Sequence, residues 1–138
     1  MALAGLLAAA LAVVPPADCA GEPPLDYVCG PVKPEDVLAI PGSRWLVTSG
    51  FAPGAGLKLV DGQTGAFKPW YTGGPDQHGA RLEGYPDCPG PVDPALFNAR
   101  GLALRRIAAN RWRLLVVNHG GREAIEAFDV TTRGKAEP

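Results

Sequence analysis

Hydrophobic and polar residues alternate along two stretches of the chain, at about residues 35–71 and 98–132. Alternation with a period of two is typical of β-strands, because successive side chains point to opposite faces. Pro41-Gly42 and Asp61-Gly62 predict turns in the first stretch, and Pro69 marks an edge strand because proline cannot donate a ladder hydrogen bond. The first stretch therefore predicts four strands: Val37–Ile40, Arg44–Ser49, Leu57–Val60 and Phe67–Tyr71.

The second stretch resumes after residues 72–97, which are rich in glycine and proline and lack periodicity. Its predicted strands are Leu102–Arg105, Arg113–Asn118 and Ala124–Val130. The two stretches align as copies: Asp36–Ile40 with Gly101–Arg105, Ser43–Trp45 with Asn110–Trp112, Val47–Gly50 with Val117–Gly120, and Leu57–Asp61 with Ile125–Asp129.

Repeated units of this kind favour a radial or stacked β architecture. Units of about four strands in roughly 40–50 residues are typical of propeller blades, so we favour a propeller. We therefore expect an all-β chain with two four-stranded antiparallel sheets, which are the first blades of a truncated propeller. Residues 1–20 form a signal peptide in this interpretation, and residues 21–138 form the partial propeller, with units at about 35–71 and 98–132.

The signal-peptide prediction rests on the apolar run at residues 3–14, which is too short for a membrane-spanning helix of about 20 residues. Pro15-Pro16 ends the run, and the small residues of Ala17–Gly21 offer a cleavage site. No Lys or Arg follows Met1, which departs from the usual export pattern. Lipidation at Cys19 and a folded N-terminal helix are the alternatives. We expect a periplasmic or secreted protein.

Composition excludes several classes. Gly 18 and Pro 15 in 138 residues argue against a helix bundle or coiled coil, and the 46% hydrophobic content argues against disorder. Lys+Arg 13 against Asp+Glu 14 gives no basic surface for nucleic acid. Three cysteines are too few for a disulfide scaffold. In an oxidising compartment we expect a Cys29–Cys88 bridge, with Cys19 removed with the signal peptide or left mobile.

Four short motifs then occur in order: Pro34-Glu35-Asp36, Phe97–Leu102 (FNARGL), Leu115–His119 (LVVNH) and Glu123–Phe128 (EAIEAF). Their order and spacing resemble the paraoxonase/arylesterase family and, more broadly, the SMP-30/gluconolactonase-like propellers. The resemblance runs from about Cys29 to Val130.

The resemblance implies a six-bladed propeller with two calcium ions in its tunnel, one of which polarises an ester or lactone carbonyl. It makes Glu35 a ligand of the catalytic calcium, and Asp36 and the backbone carbonyl of Leu102 ligands of the structural calcium. His119 corresponds to the outer member of a histidine dyad. Arg100 stands where the inner histidine is expected, and arginine is no base near neutral pH. The family also suggests that Cys29 pairs with a cysteine beyond this chain's end.

The residues themselves allow plainer interpretations. Glu35-Asp36 before an apolar strand is usually a solvated turn, and His119 before two glycines is a turn residue. Arg100 and Glu35 form a salt bridge in the alternative that dispenses with a cation. His78 is expected to be exposed in its loop. A calcium site takes six to eight oxygens, so Glu35, Asp36, Asn98 and a carbonyl cannot fill two sites.

Two functions remain. The first is the N-terminal portion of a calcium-dependent hydrolase acting on a small ester or lactone, inactive as this fragment because two blades cannot close a ring. Glu35, Asp36, Asn98 and His119 favour it. The second is a non-catalytic propeller that acts as a scaffold or binding protein, which Arg100 favours.

Overall fold

The structure, a computed structural model, describes residues 19, 21–79, 87–134 and 137–138. The described residues contain seven β-strands and no α-helix, so the predicted all-β class is confirmed. A single turn of 3-10 helix covers Pro75–Gln77. The strands are β1 (Pro34–Ala39), β2 (Trp45–Gly50), β3 (Leu57–Asp61), β4 (Phe67–Pro69), β5 (Ala99–Ala108), β6 (Arg111–Asn118) and β7 (Ala124–Thr131).

The strands form two antiparallel meanders. The first sheet has the order β1-β2-β3-β4, with β4 and its Pro69 at the edge as predicted. The second has the order β5-β6-β7, so it holds three strands in the described residues where the sequence predicted four. After β7 the amide of Thr132 bonds the carbonyl of Asn110 at 2.9 Å, and Gly134 turns the chain with a φ of 66°.

The first two strands of each sheet pair in equivalent registers. Pro34 and Val37 of β1 pair with Gly50 and Thr48 of β2, and the residues between them bulge out of the ladder. Ala99 and Leu102 of β5 pair with Asn118 and Val116 of β6 around the same kind of bulge. Glu35-Asp36 is therefore structurally equivalent to Arg100-Gly101, as the sequence alignment of β1 with β5 predicted.

The alignment of β2 with β6 was wrong by two residues. Thr48 pairs with Val37 and Val116 pairs with Leu102, so Val47–Gly50 matches Leu115–Asn118 and not Val117–Gly120. The β5–β6 hairpin is longer than the β1–β2 hairpin. The polar end of β6 therefore lies further from its turn than the end of β2 does.

The core lies between the sheets. β5 runs against β1 and β2, and Val47 and Leu57 of the first sheet pack with Leu114 and Val116 of the second. Phe97, which is fully buried, lies just before β5. The centroid of its ring is 5.8 Å from that of Tyr71 and 6.1 Å from that of Phe128, and the Tyr71 and Phe128 centroids are 5.2 Å apart. The three rings form a cluster at one side of the interface.

The disulfide joins Cys19 to Cys29, with their Cα atoms 6.0 Å apart, and Cys88 is an exposed free thiol. The expected Cys29–Cys88 bridge, the pairing of Cys29 beyond the chain and a mobile Cys19 are therefore wrong. The removal of Cys19 with a signal peptide stays a prediction. Val28 packs near Gly65 beside the first sheet, whereas the carbonyl of Gly90 is held by the second sheet. Cys29 and Cys88 are thus anchored on different sheets.

The signal-peptide prediction concerns residues 1–20, of which only Cys19 lies among the described residues. In the described part of the chain, no helix has the length and apolar character needed to cross a membrane.

Candidate functional site at the paired bulges

The equivalent bulges of β1 (Glu35-Asp36) and β5 (Arg100-Gly101), called here the paired bulges, bring four of the predicted site residues together. Bulges bend a strand and redirect its side chains, and they are frequent beside functional sites. The first strands of the two sheets, β1 and β5, contact each other, so the bulges meet at one end of the sheet interface.

Asp36 connects the two sheets directly. Its Oδ2 accepts a hydrogen bond from the backbone N–H of Leu102 at 2.7 Å, and its Oδ1 accepts one from the N–H of Val37 at 2.8 Å. The backbone of Asp36 is fixed in turn, because its N–H donates to Ser49 Oγ at 3.1 Å and its carbonyl accepts from Thr48 Oγ1 at 2.8 Å. Both carboxylate oxygens therefore already serve the protein backbone.

Glu35 and Arg100 face each other across the paired bulges. Glu35 Oε2 lies 4.0 Å from Arg100 Nε, with both side chains partly exposed. The guanidinium also lies over the ring of Phe51 at 3.5 Å from its centroid, a cation–π contact. Arg100 Nε is buried and has no hydrogen-bond partner among the described residues. The geometry thus contains the Glu35–Arg100 pair expected from charge balance, held by an aromatic platform.

His119 lies just after β6, and its backbone N–H donates to the carbonyl of Asn98 at 3.1 Å. Its imidazole Nδ1 pairs with the carboxylate of Glu123, and both side chains are exposed. Among the described hydrogen bonds and ion pairs, none joins His119 to Glu35 or Arg100. The histidine therefore has a carboxylate partner in place of a second histidine.

A polar network that the sequence reasoning missed lies behind the bulges. Asn118, fully buried, accepts hydrogen bonds through Oδ1 from the N–H groups of Asn98 and Gly120, at 3.2 and 2.9 Å. Its Nδ2 donates to the carbonyl of Gly120 at 3.0 Å and to Glu126 Oε1 at 3.1 Å. The one available signal was the polar end of the otherwise apolar strand β6.

Glu126 also forms a two-point ion pair with Arg122. Arg122 Nε and Nη2 donate to the two carboxylate oxygens at 2.7 and 2.6 Å, and Nη2 also donates to the carbonyl of Gly90 at 2.8 Å. The hydrogen bond from Glu126 raises the pKa of Arg122 above its ordinary value. This pair holds the loop before β5 against the second sheet. No feature of the sequence pattern predicted the pair.

Calcium binds carboxylate and carbonyl oxygens, usually six to eight of them. Glu35 offers a partly exposed carboxylate, and Asn98 Oδ1 is buried without a hydrogen-bond partner among the described residues. Asp36 has both oxygens engaged, and Arg100 places a positive charge beside Glu35. No group of three or more His, Cys, Asp or Glu suited to a metal occurs among the described residues. The donors are of the right chemical class, but they supply only part of a calcium shell.

A groove of about 630 Å³ opens between the sheets on the side away from the bulges, and its lining includes Trp70, His78, Arg113 and Phe128. His78 is exposed, as predicted, and its Nε2 lies 3.1 Å from the carbonyl of Gly73. The imidazole is therefore explained by a loop contact and does not form a second candidate centre.

Comparison with known proteins adds no relative. No family model matches the chain. No curated protein and no solved structure is significantly similar to it. The fold and site define an all-β protein built from two repeated meander sheets, whose bulges meet at a charged cluster, and its function is argued from these residues.

Proposed function

We propose that this chain is the N-terminal portion of a calcium-dependent β-propeller hydrolase of small esters or lactones, similar to the arylesterases and paraoxonases. One observation carries the proposal. The Glu35-Asp36 bulge and the Arg100-Gly101 bulge occupy equivalent positions in successive sheets and are joined by the 2.7 Å Asp36–Leu102 hydrogen bond. In a propeller the first strand of every blade lines the central channel, where such bulges meet around one axis.

In this function the side chains have separate roles. Glu35, whose carboxylate lies 4.0 Å from Arg100, and Asn98, whose Oδ1 has no hydrogen-bond partner among the described residues, contribute oxygens toward a calcium ion. Other blades complete the shell. Calcium, when bound, polarises the ester or lactone carbonyl. Asp36 positions the second sheet against the first through the N–H of Leu102; the ligand role of the Leu102 carbonyl stays a prediction. His119, oriented by Glu123, is the candidate proton acceptor.

We expect the chain by itself to be inactive, because its two sheets supply only part of the calcium shell, which allows weak binding, and leave the substrate channel open. We also place the protein in the periplasm or outside the cell. The Cys19–Cys29 disulfide supports this location, since disulfides persist in oxidising compartments.

A second candidate is a non-catalytic scaffold or binding propeller. The Arg100–Glu35 pair favours it, because the guanidinium offsets the charge that would attract a cation, and because Arg100 cannot serve as a base. The two candidates therefore differ first in their response to calcium.

Calcium-dependent thermal stability separates the candidates. With calcium in excess, the hydrolase proposal predicts a midpoint of unfolding about 4 °C or more above that in chelator, as expected for about 1 kcal/mol of binding. Glu35→Gln should remove the difference, whereas Asp129→Asn, at an exposed carboxylate away from the bulges, should retain it. Equal midpoints for the unmodified chain would favour the scaffold. In a protein carrying further blades, Glu35→Gln should abolish hydrolysis without unfolding the protein.

A further inference from the structure

The calcium site proposed above gives no role to Arg100, which stands where the resemblance places a histidine. Arg100 belongs to the bulge of β5, and its guanidinium carbon lies 3.5 Å from the centroid of the ring of Phe51, which follows β2 of the first sheet. This cation–π contact holds the side chain across the sheet interface. Because arginine keeps its proton near neutral pH, the residue can bind a ligand but cannot act as a base.

The guanidinium of Arg100 has an unused hydrogen-bond donor. Its Nε is buried and has no hydrogen-bond partner among the described residues. Glu35 Oε2 lies 4.0 Å from this nitrogen, which exceeds hydrogen-bond distance. A buried donor without a partner is destabilising, and a bound ligand is one of the groups that can satisfy it. The side chain as a whole is 33% exposed, so a ligand in the channel can reach it.

The charges at the paired bulges favour an anionic ligand. Glu35 and Asp36 are acidic, and Arg100 is basic. When Glu35 contributes its carboxylate toward a calcium ion, the divalent cation and Arg100 together exceed the charge of the two carboxylates. Arg100 then shares its ion-pair partner with the metal. A ligand carboxylate beside the guanidinium restores the balance through charge-assisted hydrogen bonds.

Phe51 adds an apolar surface at the same place, because it is 40% exposed although the guanidinium lies over its ring. We propose that Arg100 binds a carboxylate of the ligand beside Phe51, so that the substrate is an ester or lactone carrying a free carboxylate apart from its reactive carbonyl. A carboxylate fits because it is planar and accepts two parallel hydrogen bonds from one guanidinium. The substrate class rests on the proposed hydrolase function, whereas the carboxylate site rests on the contacts of Arg100.

Titration of the isotope-labelled chain with benzoate at neutral pH, followed by backbone amide NMR, tests the carboxylate site without requiring activity. Benzoate combines a carboxylate with an aromatic ring, and benzamide is its neutral counterpart. We expect saturable shift changes at Phe51 and residues 99–101, with benzoate bound at least about tenfold more tightly than benzamide. Arg100→Gln should abolish this preference. Arg105→Gln, at an exposed arginine of the same strand, should retain it, and circular dichroism verifies that both variants fold.

Calcium and Glu35 separate this proposal from the hydrolase function. Because Glu35 competes for the guanidinium, Glu35→Gln should raise the affinity for benzoate in chelator, and calcium should raise it for the unmodified chain. Benzoate binding that requires Arg100 but does not change with calcium would support the carboxylate site and contradict the hydrolase function. Equal binding of benzoate and benzamide would overturn the carboxylate site even when the chain responds to calcium, and this comparison needs no variant. Shift changes centred on Arg105 would also overturn it.

Discussion

At the scale of single residues, two arginine–carboxylate pairs of the second sheet share their chemistry and differ in burial. Glu126 is buried beneath Arg122, whereas Asp129 pairs with Arg113 at 2.9 Å on the surface. Glu126→Ala should lower the free energy of unfolding by about 1.5–3 kcal/mol, because the partly buried Arg122 loses two charge-assisted hydrogen bonds and the buried Asn118 loses a third. Asp129→Ala should cost less than about 1 kcal/mol. Urea denaturation measures both, and equal losses would show that the buried pair does not fasten the loop.

Tyr71 links stability to pH. Its hydroxyl donates to the carbonyl of Val92 at 2.7 Å, and burial raises the pKa of Tyr71 above its ordinary value of 10.0. The folded state thus favours the protonated phenol, so its contribution is complete below pH 10.0 and is lost as pH rises through the raised pKa. Tyr71→Phe should cost about 1 kcal/mol at neutral pH and less in alkali. A cost that grows with pH would contradict this sign.

The sequence predicted the position of single residues where a short motif contained them. It did not predict contacts that depend on tertiary packing. Glu35, Asp36 and Arg100 do meet at the paired bulges, and their adjacency followed from the repeat. The Glu126–Arg122 pair did not follow from the sequence. Both residues have the pattern of solvated charges, and the loop that carries Gly90 contacts Arg122 only in the folded protein.

At the scale of elements, the bulge of β1 adds a direct hydrogen bond between the sheets. Asp36→Asn replaces an accepting oxygen with a donor, so the hydrogen bond from Leu102 or from Val37 is lost. The free energy of unfolding should fall by about 1.5–3 kcal/mol, and the loss should appear in chelator as well as in calcium. Asp26→Asn, at an exposed residue near the N-terminus, should be neutral. A loss seen only with calcium would assign Asp36 to metal binding instead.

Strand positions were largely predictable, because alternation reports a half-buried strand directly. The start of β5 at Ala99 was not, since a bulge at Arg100-Gly101 interrupts the period of two. Three strands of the second sheet lie among the described residues, and the residues after β7 show no alternation that would predict a further strand there.

At the scale of the whole molecule, the disulfide constrains processing. Because Cys19 is bonded to Cys29, removal of a signal peptide must occur before Cys19 if the bridge is to persist. N-terminal sequencing of the exported protein should therefore start no later than Cys19, and non-reducing peptide mapping should recover Cys88 as a free thiol. A mature protein starting at Ala20 or later, or a Cys29–Cys88 peptide, would refute this assignment.

The central claim is that the paired bulges form one site that responds to a cation. The most direct measurement is a calcium titration of the isotope-labelled chain, followed by backbone amide NMR. We predict saturable shift changes concentrated at residues 35–37 and 98–102, which Glu35→Gln abolishes. Asp129→Asn, at the exposed carboxylate of β7, should leave them unchanged. Shift changes centred on Asp129 or Glu123, or the absence of any change near Glu35, would contradict the claim.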